Sequence, residues 1–241
     1  SATSTSATGT PKPAGAMAQT FAAQRDWPNY FRAVEGKGPR ETLVAALDRF
    51  DAEDAKDSPA HLAWSRQCGL AIDLGCGEGR DTVELLRRGW RVLAIDGHPM
   101  GLDLLRARLA SPELRTIAPD VAARIECVLA PMEDAPLPTC RAFNASFALP
   151  FCAPARFADL WKRVIGSIEP GGRFCGQLFG DRDEWAPLPD RTHHSRAELD
   201  RLFAGFLLEE LREEEKDSPD AEGRAKHWHV FHIVARKFTG A

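Results

Sequence analysis

The sequence is short of several things at once. It holds one tyrosine and three methionines in 241 residues. Its six cysteines, at 68, 76, 127, 140, 152 and 175, form no CxxC pair and show no zinc-finger spacing, so neither a redox motif nor a structural zinc site is indicated. Most of them lie in apolar segments, where a free thiol packs as a small core residue. No run approaches the roughly 20 apolar residues that cross a bilayer. Positive charge is not in excess: 31 Lys and Arg against 35 Asp and Glu leave a net -4, which gives nucleic-acid phosphates no broad field to meet. Residues 1–16 lack the basic start and apolar core of a secretory signal. The expectation is a reduced, cytoplasmic protein with no membrane or nucleic-acid partner, and its oligomeric state is not legible.

What is present is a globular composition, 44% hydrophobic and 27% charged, which excludes a wholly disordered or fibrous chain. Residues 1–18, rich in Ser, Thr, Ala, Gly and Pro, read as a disordered tail or as an extension ahead of a native start at Met17. Residues 19–55 read as an N-terminal helical lid. There an aromatic cluster, Trp27-Pro28-Asn29-Tyr30-Phe31, precedes a Gly/Pro hinge at 36–39 and an amphipathic helix over 40–52. Residues 56–241 read as one domain.

In that domain apolar strands alternate with helices. Strands are expected at 70–74, 91–95, 124–129, 142–149 and 173–179, with helices at 80–88, 99–109, 154–168 and 195–203. Pro170-Gly171-Gly172 closes the third of those helices, and Ser195 with Glu198 has capping-box spacing at the start of the fourth. Two final strands, 207–215 and 227–237, are joined by the polar turn 217–224. This pattern predicts an α/β fold: a doubly wound, mostly parallel seven-stranded sheet with a C-terminal antiparallel β-hairpin.

The most informative stretch is Asp73-Leu74-Gly75-Cys76-Gly77-Glu78-Gly79-Arg80-Asp81, a strand end, three glycines at alternate positions and an immediate helix. Glycines there let the backbone approach a ligand closely. The spacing is G-x-G-x-G rather than G-x-G-x-x-G, and Asp73 repels phosphate but suits a cationic amine. The next strand ends in Asp96-Gly97, where a carboxylate can accept both ribose hydroxyls. An adenosine-like ligand carrying an amino group is S-adenosylmethionine (SAM).

On these residues the sequence resembles the class I SAM-dependent methyltransferases, over roughly Arg40 to Lys237. Gly75 to Asp81, Gly172 to Gly180 and His227-Trp228-His229 are similar to small bacterial tellurite-resistance-type members. The resemblance implies a Rossmann-like fold with Asp73, Gly75, Cys76, Gly77 and Gly79 around the methionine part of SAM. It implies Asp96 on the ribose, Glu133 or Asp134 with Met132 at the adenine, and Asn144 facing the sulfonium.

Outside these motifs each candidate has two readings. Trp27 and Tyr30 form either a lid that meets the sulfonium by cation–π contact or a staple docking the first helix. Arg40 either pairs with the SAM carboxylate or faces solvent. Arg182 and Trp185, in the loop after the strand that begins at 173, are acceptor-pocket candidates or part of a solvated loop. His193 and its neighbour His194 are candidate bases by their titration range, or bystanders. His227, His229 and His232 lack the further ligands of a metal site, so no metal is expected. Glu209 to Glu215 reads as a solvated edge strand. The function implied is in-line methyl transfer to a small-molecule acceptor, with Tyr30, Asn144 and His193 as catalytic candidates. Two alternatives stay open. One is an enzyme whose substrate is SAM itself, cyclised to azetidine-2-carboxylate with release of methylthioadenosine. The other is a non-catalytic SAM-binding protein.

Overall fold

A computed structural model describes residues 26–55, 69–117 and 119–240. The tail at 1–18, the first part of the lid and Cys68 lie outside the described residues. Helix α1 (Trp27–Val34) starts where the Asp26 carboxylate accepts the Asn29 N–H, with proline in its first turn. The hinge follows, and then α2 (Glu41–Asp54) buries Leu43, Ala46, Leu47 and Phe50 along one face.

The elements after the hinge are β1 (Leu70–Leu74), α3 (Arg80–Arg87), β2 (Arg91–Asp96), α4 (Pro99–Leu109), α5 (Pro112–Ile117), α6 (Val121–Arg124) and β3 (Ile125–Leu129). They continue with β4 (Cys140–Ala145), α7 (Pro154–Ser167), β5 (Ile168–Gly180), β6 (His193–His194), α8 (Arg196–Leu202), β7 (Phe206–Pro219) and β8 (Ala225–Lys237). The sheet runs β3-β2-β1-β4-β5-β8-β7, with β6 paired to the end of β5. β1 to β5 are parallel, and β8 and β7 are antiparallel. Alternation of side chains along β1 sends Ile72 and Leu74 to one apolar layer and Ala71 to the other. The first layer packs under α7 with Phe143, Phe174 and Trp161, and the second under α2 and α3 with Phe50, Trp90 and Leu85.

The parallel sheet and the terminal hairpin agree with the sequence pattern, and the sheet has eight strands once β6 is counted. The capping box of Ser195 and Glu198 is formed. Three expectations need correction. The fourth strand ends at Ala145 rather than 149, because the chain turns at Phe147 (φ 53) into a 3-10 turn over Leu149–Phe151. The fifth begins at Ile168. Pro170-Gly171-Gly172 is taken into it through a register shift opposite Cys140 and Ala142, with Gly171 at φ 80. The hairpin strands run longer and their turn shrinks to 220–224, where the Asp220 carboxylate accepts the Glu222 and Arg224 N–H groups. Helices α5 and α6 had no counterpart in the sequence pattern.

Among the described residues no helix is long and apolar enough to cross a membrane, and no group of His, Cys, Asp or Glu could hold a metal ion. The five described cysteines are free thiols.

Candidate functional site

Open parallel sheets leave a crevice at the C-terminal ends of their strands, beside the strand where the chain reverses direction across the sheet. Here that strand is β1. Its exit turns sharply because Gly75 adopts φ 72, and the Gly75 and Cys76 N–H groups both donate to the Ile95 carbonyl of β2. A side chain at Gly75 would set its Cβ 2.5 Å from the Ala148 Cβ, so glycine is needed for close approach as well as for backbone freedom. Gly79, at φ 86, caps α3 against Leu105.

Carboxylates converge on this turn. Asp73 is buried. It accepts from Thr82 Oγ1 at 2.5 Å and from Asn144 Nδ2 at 2.9 Å. The same Asn144 amide donates to Asp81 Oδ2 at 3.0 Å, and the Arg40 N–H donates to Asp81 Oδ1 at 2.8 Å. Burial, and then the charge of Asp81, push the Asp73 carboxyl up to about 7 in spite of the two donors. Asp96 accepts the Gly77 N–H at 2.8 Å and the His98 N–H at 2.7 Å, yet burial still holds it above the usual carboxylate range. Cationic or hydroxyl-bearing groups would satisfy both acids.

A cavity of about 600 Å³ opens over these groups. The loops after β1, β2 and β3 contribute Asp73, Gly75, Cys76, Gly77, Asp96, Gly97, Met132, Glu133 and Asp134 to its wall, and Trp27, Tyr30 and Arg40 close it from the lid side. The Trp27 ring meets Tyr30 at 5.6 Å, Phe31 at 6.0 Å and Phe151 at 6.2 Å, so the aromatic cluster docks α1 and walls the cavity at once. Asp134 pairs with Arg156 at 2.9 Å across the rim.

Other candidates stand elsewhere. Asn144 lies one layer behind the wall and reaches the site through Asp73 and Asp81. Gly79 also lies behind it. Arg182 is outside the cavity, held by Glu213 and Glu215 on the hairpin. Trp185 backs the wall through the Phe151 ring at 6.4 Å. His193 sits deeper, with Nε2 3.8 Å from Asp183 Oδ1, and its ring stacks beside Phe179 rather than lining the cavity. Burial holds His194 down to about 4.

Sequence reasoning missed Phe31, Glu78, Arg80, Asp81, His98, Phe147 and Phe151, all of which line the cavity. Asp81 carries a signal, a carboxylate in the first turn after the glycine loop. Arg80 carries none, because its position depends on tertiary contacts. Its guanidinium donates to the Gly38 carbonyl of the hinge at 2.8 Å, while the buried Nη1 has no hydrogen-bond partner. A buried donor of this kind calls for an anionic or acceptor group in the cavity. The wall thus suits one ligand with a hydroxylated sugar, a cationic centre and a carboxylate, which is the chemistry of SAM.

Residues 71–172 match a family described as a methyltransferase domain. Over 94 residues, 39% of this chain and 40% of the relative, the sequence is 52% identical to the magnesium-protoporphyrin O-methyltransferase of Rhodobacter capsulatus. The chain therefore spans about two-fifths of that relative's length. Among solved structures, TehB from Haemophilus influenzae has a TM-score of 0.59 at 19% identity, covering 74% of this chain and 60% of that one. The magnesium protoporphyrin IX methyltransferase ChlM from Synechocystis PCC 6803 has a TM-score of 0.54 at 12% identity, covering 88% and 90%. These two likenesses are of fold. Taken with the family match over residues 71–172 and the local identity, they make this chain similar in fold, and over that stretch in sequence, to SAM-dependent methyltransferases.

Proposed function

We propose that this protein transfers the methyl group of SAM to a small-molecule acceptor inside the cavity. The observation that carries the reading is the meeting of two carboxylates at the strand ends, the buried Asp73 and the half-buried Asp96, with the unpartnered Arg80 Nη1 under one aromatic wall. Bound SAM would supply a carbon already activated by its sulfonium for in-line displacement. The residues then have to orient and to exclude water, and no nucleophilic triad is needed.

Asp96 would orient the ribose diol, with Gly97, Met132 and the Glu133-Asp134 pair along the base. Asp73, Gly75, Cys76 and Gly77 would hold the methionine end, and Arg80 its carboxylate. Asn144 would fix Asp73 and Asp81 in place. The faces of Trp27 and Tyr30 would favour a cation and keep the cavity dry. A base is required only if the acceptor must first lose a proton. Tyr30 is the hydroxyl on the aromatic wall, whereas His193 would have to act through Asp183 and the Phe179 layer. The free thiols support a reducing, cytoplasmic setting for this activity.

Purified protein incubated with SAM and analysed by mass spectrometry tests the reading. S-adenosylhomocysteine appearing only when a small-molecule acceptor is added supports it. Methylthioadenosine accumulating without any acceptor would make SAM itself the substrate, and binding without any product would leave a SAM-binding protein; either result sinks methyl transfer.

A further inference from the structure

The loops after β1, β2 and β3 supply the groups suited to the cofactor. The cavity wall that remains belongs to the loop after β4, with Phe147 and Phe151, and to the lid, with Trp27, Tyr30 and Arg40; the Trp27 ring meets Phe151 edge-on at 6.2 Å, so the two parts form one aromatic wall. Phe147 is the feature that sets this wall apart. It is the non-glycine residue with positive φ among the described residues, at 53, a conformation that strains a bulky side chain. The surrounding structure holds it there. Its N–H donates to Gln177 Oε1 at 3.1 Å, and Gln177 Nε2 in turn donates to Thr42 Oγ1 of α2 at 3.0 Å. Strain retained in this way at a cavity wall fixes the direction of a ring.

One face of that ring carries a cation. The Arg40 Cζ stands 4.5 Å from the Phe147 centroid, and the Arg40 backbone is tied to Asp81. Among the described residues the Arg40 guanidinium forms no ion pair with a carboxylate. Arg80 is close enough that its own guanidinium is held below the usual arginine range, by burial first and by Arg40 next. Asp81, whose carboxylate accepts the Arg40 N–H, and Glu78 act against that lowering at Arg80. Arg80 follows the glycine loop directly and serves the cofactor end, which leaves Arg40 with the wall after β4.

We propose that the acceptor is a small planar aromatic molecule carrying a carboxylate, with its ring against the aromatic wall of Phe147, Phe151, Trp27 and Tyr30 and its carboxylate on Arg40. The inference rests on the methyl-transfer reading above. A guanidinium fixed on a ring face presents a planar fork of donors that matches a carboxylate. The aromatic wall beside it favours a flat π system over a saturated ring.

The test uses the full chain saturated with S-adenosylhomocysteine, whose own binding is measured first by calorimetry. Salicylate and indole-3-carboxylate are then titrated against their amides and against cyclohexanecarboxylate, followed by tryptophan fluorescence. The aromatic acids should bind about tenfold or more tighter than the amides, the loss expected when a charge-assisted pair is removed. Arg40→Gln should bring the acids to the level of the amides while S-adenosylhomocysteine still binds. Phe147→Leu, which relieves no charge, should erase the preference for aromatic over cyclohexane acids, with circular dichroism confirming the fold. Equal binding of acids and amides overturns the inference, as does an Arg40→Gln protein that loses S-adenosylhomocysteine affinity instead. If the unaltered protein binds no S-adenosylhomocysteine, the methyl-transfer reading falls and takes the inference with it; if it binds that ligand and no aromatic acid, the inference alone falls.

Discussion

The side-chain amide of Asn144 stands between two buried carboxylates, 2.9 Å from Asp73 Oδ1 and 3.0 Å from Asp81 Oδ2. Asn144 is also the register partner of Asp73 across the β1–β4 pair, so the sheet itself delivers the donor. Its carbonyl oxygen accepts from Ser146 Oγ at 3.2 Å and Cys175 Sγ at 3.4 Å, which fixes the amide's orientation. Asn144→Leu keeps the volume but takes a donor from both acids. The expected cost is about 1–3 kcal/mol of stability, with weaker binding of S-adenosylhomocysteine. Urea unfolding at neutral pH and calorimetry check this; an unchanged midpoint would mean that Thr82 and the Arg40 N–H suffice without the amide.

Stability should depend on pH in a direction that the buried acids set. Asp73 titrates at about 7 in the folded protein and near 3.9 in an unfolded chain. Between those values the folded state holds a proton that the unfolded state has lost, so stability falls as pH rises from about 4 to about 7. Burial raises Asp96 and Glu78 too, and they add to the same trend. His232 and His194 oppose it, since burial pushes each down to about 4. An unfolded histidine takes up a proton below about 6.5, and these two refuse it, so their share of stability is lost as pH falls from 6.5 toward 4. Asp73→Asn should flatten the decline above pH 5 and leave the acid limb in place. Urea midpoints from pH 4 to pH 8 for both proteins decide it, and parallel curves would contradict the assignment.

Gly75→Ala should destabilise more than Gly36→Ala, although both positions have positive φ, 72 and 74. Gly36 has open space around it and would suffer backbone strain alone, about 1–2 kcal/mol. At Gly75 the new methyl also meets Ala148, adding an overpacking cost of about 1–3 kcal/mol. Because Ala148 belongs to the loop after β4, the collision pushes the glycine turn away from the wall of Phe147 and Phe151. Ligand affinity should therefore drop for Gly75→Ala and hold for Gly36→Ala, as calorimetry on the two variants would show.

The parts of this fold legible in the sequence are those written locally. β1, its glycine turn, α3 and β2 are readable because apolar runs stop at glycines and an acid stands at or next to the end of each strand. Asp73, Asp96 and the loop glycines were found for that reason. The apolar run from Ala142 to Leu149 looks like one strand, and what ends it is a tertiary grip, Gln177 holding the Phe147 N–H in a conformation no Phe prefers. Arg80 and Phe31 likewise reach the cavity through contacts, with the hinge carbonyl of Gly38 and with the His98 ring, that spacing does not reveal. His193 was chosen for its titration range, but its place is decided by β6, a two-residue strand too short to show any periodicity.

The buried pair of Asp183 and Lys226 should behave as a unit. Lys226 Nζ lies 2.5 Å from Asp183 Oδ1, and its ammonium faces the rings of Trp228 at 3.9 Å and Trp185 at 4.3 Å. Asp183 also accepts the Trp185 and His229 N–H groups, so this carboxylate pins the loop after β5 onto β8. Burial works to raise Asp183, but His193, Lys226 and the two backbone donors outweigh it and hold the acid below its usual range. Lys226→Met would leave a buried charge short of its counter-ion, at a cost of about 3–5 kcal/mol. Adding Asp183→Asn should restore part of that loss, because no uncompensated charge remains to be buried. A double-mutant cycle in urea measures the coupling, and additive losses would show that the two groups do not depend on each other. Since Trp185 supports Phe151 at the cavity wall, Lys226→Met should also loosen ligand binding, and the double variant should recover it in step with stability.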